Sequence, residues 1–181
     1  MDDNRALERD DGMTGGERLG NVGATPERSR NRGAGHRSEV YCFAVSSPLD
    51  WNQLREAARA ASCRSYAPYS KVHVGAAALT SDGEIVVGSN IENASYGLTL
   101  CAECSLVSDL IRLGQRRLRA LSVVAGDGQY LAPCGRCRQV LFEFGGTDLL
   151  IDQGDDQPVR TLGELLPGAF GPSDLETRSD L

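Results

Sequence analysis

The spacing of apolar and polar positions becomes regular only after residue 46. Leu54, Ala57, Ala58 and Ala61 recur at helical intervals behind Ser47-Pro48-Leu49-Asp50, which offers a cap, a first-turn proline and an acid. This predicts a helix over 48–63, broken by Ala67-Pro68-Tyr69-Ser70. Residues 72–79 read as a strand, Ser81-Asp82-Gly83 as a hairpin turn, and 84–88 as the return strand. A second helix opens near Cys101, lines up Leu106, Val107, Leu110 and Ile111 on one face, and stops at Gly114. Residues 121–125 form a buried strand. A third helix starts at Cys134, carries Cys137, Val140, Leu141 and Phe144 on one face, and ends at Gly145-Gly146. A last strand over 149–151 and a helical turn over 162–166 complete the pattern. Strands and helices alternate, so the class is α/β, with helices covering a central sheet.

Residues 1–39 break from this pattern. They hold eight apolar residues, no aromatic, seven glycines and fifteen charges of mixed sign. Such a segment cannot bury enough surface to offset its own chain entropy, so disorder is expected. It lacks the apolar stretch of a secretory signal, and its eight acids are foreign to a transit peptide. Residues 1–46 are read as a disordered extension or a misplaced start, with 40–45 an open strand candidate. Residues 47–171 are the functional domain, and 172–181 a C-terminal tail.

Charge narrows the partners. The 181 residues carry 19 basic and 25 acidic groups, a net charge of -6, so no basic excess exists to grip nucleic-acid phosphates. No run of about 18 apolar residues occurs, so no membrane span is expected. Cysteines sit at 42, 63, 101, 104, 134 and 137. Without a signal peptide they favour a reducing, cytoplasmic setting, where clustered thiolates point to zinc rather than disulfides. Cys42 and Cys63 are isolated and read as bystanders. His36 and His73 fit no zinc spacing.

The remaining four cysteines form Cys-x-x-Cys twice. All four could close a structural zinc site, or three could hold a catalytic zinc with one position left for water. Residues 105–133 separate the pairs, a longer gap than the roughly 15–20 residues of zinc ribbons. Both pairs also open amphipathic helices, where unpaired N–H groups and the helix dipole favour thiolate. Both features favour the catalytic arrangement. Glu103 lies inside the first pair, and Pro133 precedes the second. A zinc ligand, a spacer and a glutamate, followed by Pro-Cys-x-x-Cys, is the pattern of zinc deaminases.

The chain resembles the small, homotetrameric, zinc-dependent cytidine deaminases. The likeness runs through Tyr66-Ala67-Pro68-Tyr69-Ser70-Lys71, Val74-Gly75-Ala76-Ala77, Asn90-Ile91-Glu92-Asn93-Ala94, Cys101-Ala102-Glu103, residues 133–140 and residues 165–170. It implies a three-layer fold with a mixed sheet of about five strands covered by helices. It implies one zinc per chain, held by Cys101, Cys134 and Cys137, with Glu103 as general acid and base. Ala102 would meet the carbonyl edge of the base, and Asn90 and Glu92 the ribose. Ala94, Tyr96 and Phe170 would come from neighbouring subunits. Two positions depart from the family: Val72 stands where phenylalanine often packs on the base, and Cys104 where arginine often bonds the zinc thiolates. Arg138 and the helix N-termini are then expected to balance the thiolate charge.

The implied reaction is deamination of free cytidine and deoxycytidine to uridine, deoxyuridine and ammonia, in pyrimidine salvage. A blasticidin-type aminonucleoside deaminase is the rival within the chemistry. A structural four-cysteine zinc module for protein contacts is the rival outside it. The Asn90-x-Glu92 segment speaks for ordinary nucleosides, and Glu103 would have no task in a structural module.

Overall fold

The computed structural model describes residues 48–176. The extension over 1–46, the strand candidate over 40–45, Cys42 and His36 lie outside the described residues. Among the described residues, no helix is long and apolar enough to cross a membrane.

Helix α1 (Trp51–Ser62) opens on Asp50, whose carboxylate accepts from Asn52 N–H at 2.9 Å and Gln53 N–H at 3.2 Å. The helix thus begins three residues later than the proline suggested, because the Asp50 side chain satisfies the orphan N–H groups that Ser47 was expected to cap. Strands β1 (Val74–Thr80) and β2 (Ile85–Ser89) form the expected hairpin, turning through Gly83 at φ 89°. β1 starts two residues after the predicted point, since Val72 N–H is taken by Ser70 Oγ at 3.0 Å. His73 therefore lies just ahead of the strand, exposed and paired with Ser65.

Helix α2 (Ala102–Arg112) is followed by β3 (Leu118–Ala125). β3 is three residues longer at its start than predicted. Arginines at 116, 117 and 119 hide the buried alternation of Leu118 and Ala120 from a hydrophobicity reading. Helix α3 (Gly135–Gly145) leads to β4 (Leu150–Ile151), then β5 (Arg160–Thr161) and α4 (Leu162–Leu165). β5 is polar and two residues long, so no periodicity announces it. A short helix α5 (Pro172–Glu176) follows.

The five strands run in the order β2-β1-β3-β4-β5, with β3–β4 parallel and the other pairs antiparallel. This is the mixed five-stranded, helix-covered sheet that the family resemblance implied. Alternate residues face opposite layers. Ala77, Leu79, Ala120 and Val124 pack with Leu54 and Ala58 of α1. Ala76, Ala78, Val86, Leu121 and Val123 pack with Leu106 and Leu110 of α2 and Leu141 of α3.

Two glycines let the helices sit close on the sheet. A Cβ at Gly75 would lie 1.9 Å from the Ala58 carbonyl, and one at Gly88 would lie 2.3 Å from the Ala102 carbonyl and the Leu106 nitrogen. Gly88 thus sets the height of the first turn of α2 above β2. That turn carries Ala102 and Glu103 behind the Cys101 cap.

Candidate active site

Cys101 is the N-cap of α2 and Cys134 the N-cap of α3, both in extended backbone conformation. Packing of the two helices against one face of the sheet brings these N-termini together, though the caps are 33 residues apart in sequence. Cys137 follows in the first turn of α3 and is fully buried. The Sγ atoms of Cys101, Cys134 and Cys137 all lie within 4.8 Å of one another, and those of Cys101 and Cys134 are 3.9 Å apart.

This donor set fits zinc. Tetrahedral Zn–S bonds of about 2.3 Å place neighbouring sulfurs about 3.8 Å apart. Burial raises the Cys101 and Cys137 thiols above their ordinary range, and for Cys137 the nearby Glu103 charge adds to it. Burial also acts upward on Cys134, but the N–H and thiol of Cys137 outweigh it and hold Cys134 below the ordinary value. A divalent cation relieves the crowding of anions that full ionisation would create here. Cys104 stands apart from this trio: its Sγ is 4.0 Å from that of Cys137, but it does not join the set of mutually close sulfurs. Three thiols, not four, make the compact ligand set.

Glu103 is buried, 4% exposed, and burial raises its carboxyl above the ordinary value. It shares a cleft of about 210 Å³ with Cys101, Ala102, Cys134, Asn90, Val74, Val123 and Leu131. A larger hollow of about 480 Å³ beside Cys63, Lys71, His73 and Asp127 contains none of the trio, so size alone does not mark the site. Ala102 is fully buried at the first position of α2, lining the cleft between the cysteine cap and Glu103.

Asn90 lies just beyond β2. Its Oδ1 accepts from Val74 N–H at 2.8 Å, and its Nδ2 donates to the Val72 carbonyl at 2.9 Å. Each end of the amide keeps capacity for one more bond, so Asn90 can brace the entry to β1 and still meet a hydroxyl. Glu92 accepts from Tyr69 N–H at 2.8 Å, from Ser70 N–H at 3.2 Å and from Ser70 Oγ. The Ser70 hydroxyl bond is the main cause holding this carboxyl below its ordinary range. Glu92 thus fixes the turn that precedes Lys71, which has φ 61°.

Tyr96, Ala94 and Phe170 are exposed. Tyr96 meets Tyr69 edge to face at 5.9 Å, and neither Tyr96 nor Phe170 lines the cleft of the same chain. Arg138 is turned to two carbonyls, those of Pro133 and Leu165, both at 2.8 Å. Its charge stays on the helix that holds Cys137, but its hydrogen bonds brace backbone. Sequence reasoning missed Gly88 and the Ser70 and Tyr69 partners of Glu92. A glycine inside a strand was the available signal for the first; nothing in residue spacing announces the second.

Comparison with known proteins gives a consistent result. The cytidine and deoxycytidylate deaminase zinc-binding region matches residues 50–152. A cytidine deaminase of Mycobacterium tuberculosis is 57% identical over 129 residues, covering 70% of this chain and 94% of the relative. One from Halalkalibacterium halodurans is 44% identical over 131 residues, covering 70% and 98%. The crystal structure of cytidine deaminase from M. tuberculosis superposes with a TM-score of 0.66 at 56% identity, covering 68% of this chain and 99% of that one.

Proposed function

The chain belongs to the family of cytidine and deoxycytidylate deaminases, and on that premise we propose that it deaminates free cytidine to uridine with a zinc held by Cys101, Cys134 and Cys137. The reaction is hydrolytic: water adds at C4 of the base, and the exocyclic amine leaves as ammonia. The carrying observation is that Cys101, Cys134 and the buried Glu103 share one cleft at two helix N-termini, with the Cys137 sulfur within 4.8 Å of the other two. Zinc bound there supplies Lewis acidity, making hydroxide available near neutral pH.

The chain's own groups divide the remaining work. Glu103 takes a proton from the attacking water and delivers protons to the ring nitrogen and the departing amine. The backbone at Ala102 meets the carbonyl edge of the base. Asn90, which keeps hydrogen-bonding capacity at both ends of its amide, and Glu92 beside it take the ribose hydroxyls. Deoxycytidine is a second substrate, and the activity resides in residues 47–171. The setting is the cytoplasm, in pyrimidine salvage.

We further infer a homotetramer in which Ala94, Tyr96 and Phe170 complete the pockets of neighbouring subunits. The exposure of Tyr96 and Phe170, with Tyr66 and Leu98 also uncovered, supports this reading, since large exposed apolar side chains mark contact surfaces.

The direct test is loss of cytidine absorbance with purified protein, with and without a chelator. Chelator-sensitive loss of absorbance is expected. Zinc binding without any turnover of cytidine would instead favour the structural four-cysteine module, and turnover of an aminonucleoside antibiotic alone would favour the blasticidin-type reading.

A further inference from the structure

Two consecutive side chains of α3 hold the segment that follows α4. Arg138 Nη1 donates to the Leu165 carbonyl at 2.8 Å, at the end of α4, and Gln139 Nε2 donates to the Phe170 carbonyl at 2.8 Å. The stretch between them, residues 166–170, has no helix or strand of its own. Just beyond it, Gly171 N–H bonds the Asp174 carboxylate at 2.8 Å, and a Cβ at Gly171 would lie 2.9 Å from the Phe142 ring of the same α3. The backbone around Phe170 is therefore seated on α3, while the residue is left 55% exposed.

An aromatic ring held out by an anchored backbone is arranged for contact with something outside its own chain. Ordering it in advance lowers the entropy cost when it is received. The anchoring helix is also the one that caps on Cys134 and carries Cys137. We propose that Gln139 is a positioning residue, which fixes the Phe170 backbone so that the ring meets the substrate cleft of a neighbouring subunit. The inference rests on the reading that Phe170 completes a neighbour's pocket. Gln139 itself touches neither substrate nor metal. It acts through Phe170, and it ties that presentation to the metal-binding helix of its own chain.

The test uses the assembled zinc enzyme with Gln139→Leu, which keeps side-chain bulk and removes the donor, with Phe170→Ala, and with the double variant. KM and kcat for cytidine, zinc per chain, oligomeric mass and Tm are measured for each. Loss of one such hydrogen bond is expected to raise KM about two- to tenfold while kcat stays near its original value. Zinc, mass and Tm should not move, and the double variant should match Phe170→Ala alone. If Phe170→Ala raises KM and Gln139→Leu does not, the positioning role falls while the shared pocket stands. If Phe170→Ala leaves KM unchanged, the shared-pocket reading itself has failed. A Gln139→Leu effect that multiplies fully with Phe170→Ala, or that comes with lost zinc or lower Tm, also overturns the proposal.

Discussion

Cys137 and Glu103 are 0% and 4% exposed, whereas Tyr96 and Phe170, proposed for pockets of the same kind, are 70% and 55% exposed. The first pair stands on helix first turns, that of α2 pressed onto the sheet where Gly88 allows close approach. The second pair stands on a single 3₁₀ turn (Tyr96–Leu98) and on a segment without regular structure. Groups that perform chemistry must hold their geometry before substrate arrives, and packed helix termini give that rigidity within one chain. Groups that enclose substrate can be supplied on assembly, and their apolar surface then drives the assembly itself. On the proposed reading, one folded chain builds the reaction centre and leaves the rim of the pocket to be supplied by neighbours.

The largest effect should come from the cysteine corner, where the N-termini of α2 and α3 meet. Changing Cys101, Cys134 or Cys137 to Ser removes a soft ligand from a three-ligand set, and zinc and turnover should both vanish. Cys104→Ser should leave about one zinc per chain and near-normal turnover, because its sulfur lies outside the compact trio. Metal analysis of the four purified variants decides this. Equal zinc loss at all four positions would turn the corner into a closed structural site.

Next in size is Glu103→Gln. Shape and burial persist while the proton carrier is lost, and such roles are worth about 10²–10⁴-fold in rate. Zinc content should stay unchanged while kcat collapses. Wild-type turnover in this variant would remove Glu103 from the mechanism.

The rim should respond differently. Tyr96→Ala deletes an exposed aromatic, so the single chain should fold and bind zinc normally, yet KM should rise about tenfold or more if the ring is buried in an assembled pocket. Light scattering should report a tetramer, and specific activity should fall on dilution into dissociating conditions. A fully active monomer would erase the distinction between corner and rim.

This division also explains what could be read from sequence. The corner was legible because metal chemistry restricts residue type and spacing: Cys101, Glu103, Cys134 and Cys137 announce themselves, and both cysteine caps lie where the apolar periodicity begins. Hairpin and helices were legible because Gly83 and Gly114 punctuate regular apolar patterns. β5 and the early part of β3 were not, because polar Arg160-Thr161 and the arginines at 116, 117 and 119 carry no apolar alternation. The braces of the rim were invisible for another reason. Contacts such as Gln139 to Phe170, 31 residues apart, or Glu92 to Tyr69, 23 apart, depend on tertiary placement and leave no periodic trace.

The scaffold beneath both regions offers the last and smallest test on turnover. On the α1 side of the sheet, Asp152 at the end of β4 accepts two bonds from Arg55, at 2.8 and 2.9 Å. It also accepts from Ser122 Oγ at 2.9 Å and Gly154 N–H at 3.1 Å. Burial acts to raise this carboxyl, but the Arg55 bonds, with those of Gly154 and Ser122, hold it below the ordinary range. A carboxyl with a lower pKa in the folded chain stabilises the fold above its unfolded value, near 3.9, and that stability is lost as pH falls through the folded value. Between about pH 7 and 5 this group should leave stability flat, and the decline should begin near pH 4. Asp152→Asn breaks a pair whose side chains are 14% and 0% exposed, and should cost about 3 kcal/mol at neutral pH. The variant should also lose part of the acid slope, while kcat at neutral pH stays unchanged, since neither region of the cleft involves Arg55 or Asp152. Urea midpoints from pH 7 to 3 check both statements. Identical acid slopes for the two proteins would exclude Asp152 as a source of acid sensitivity, and a fall in kcat would show that the corner depends on the far face of the sheet.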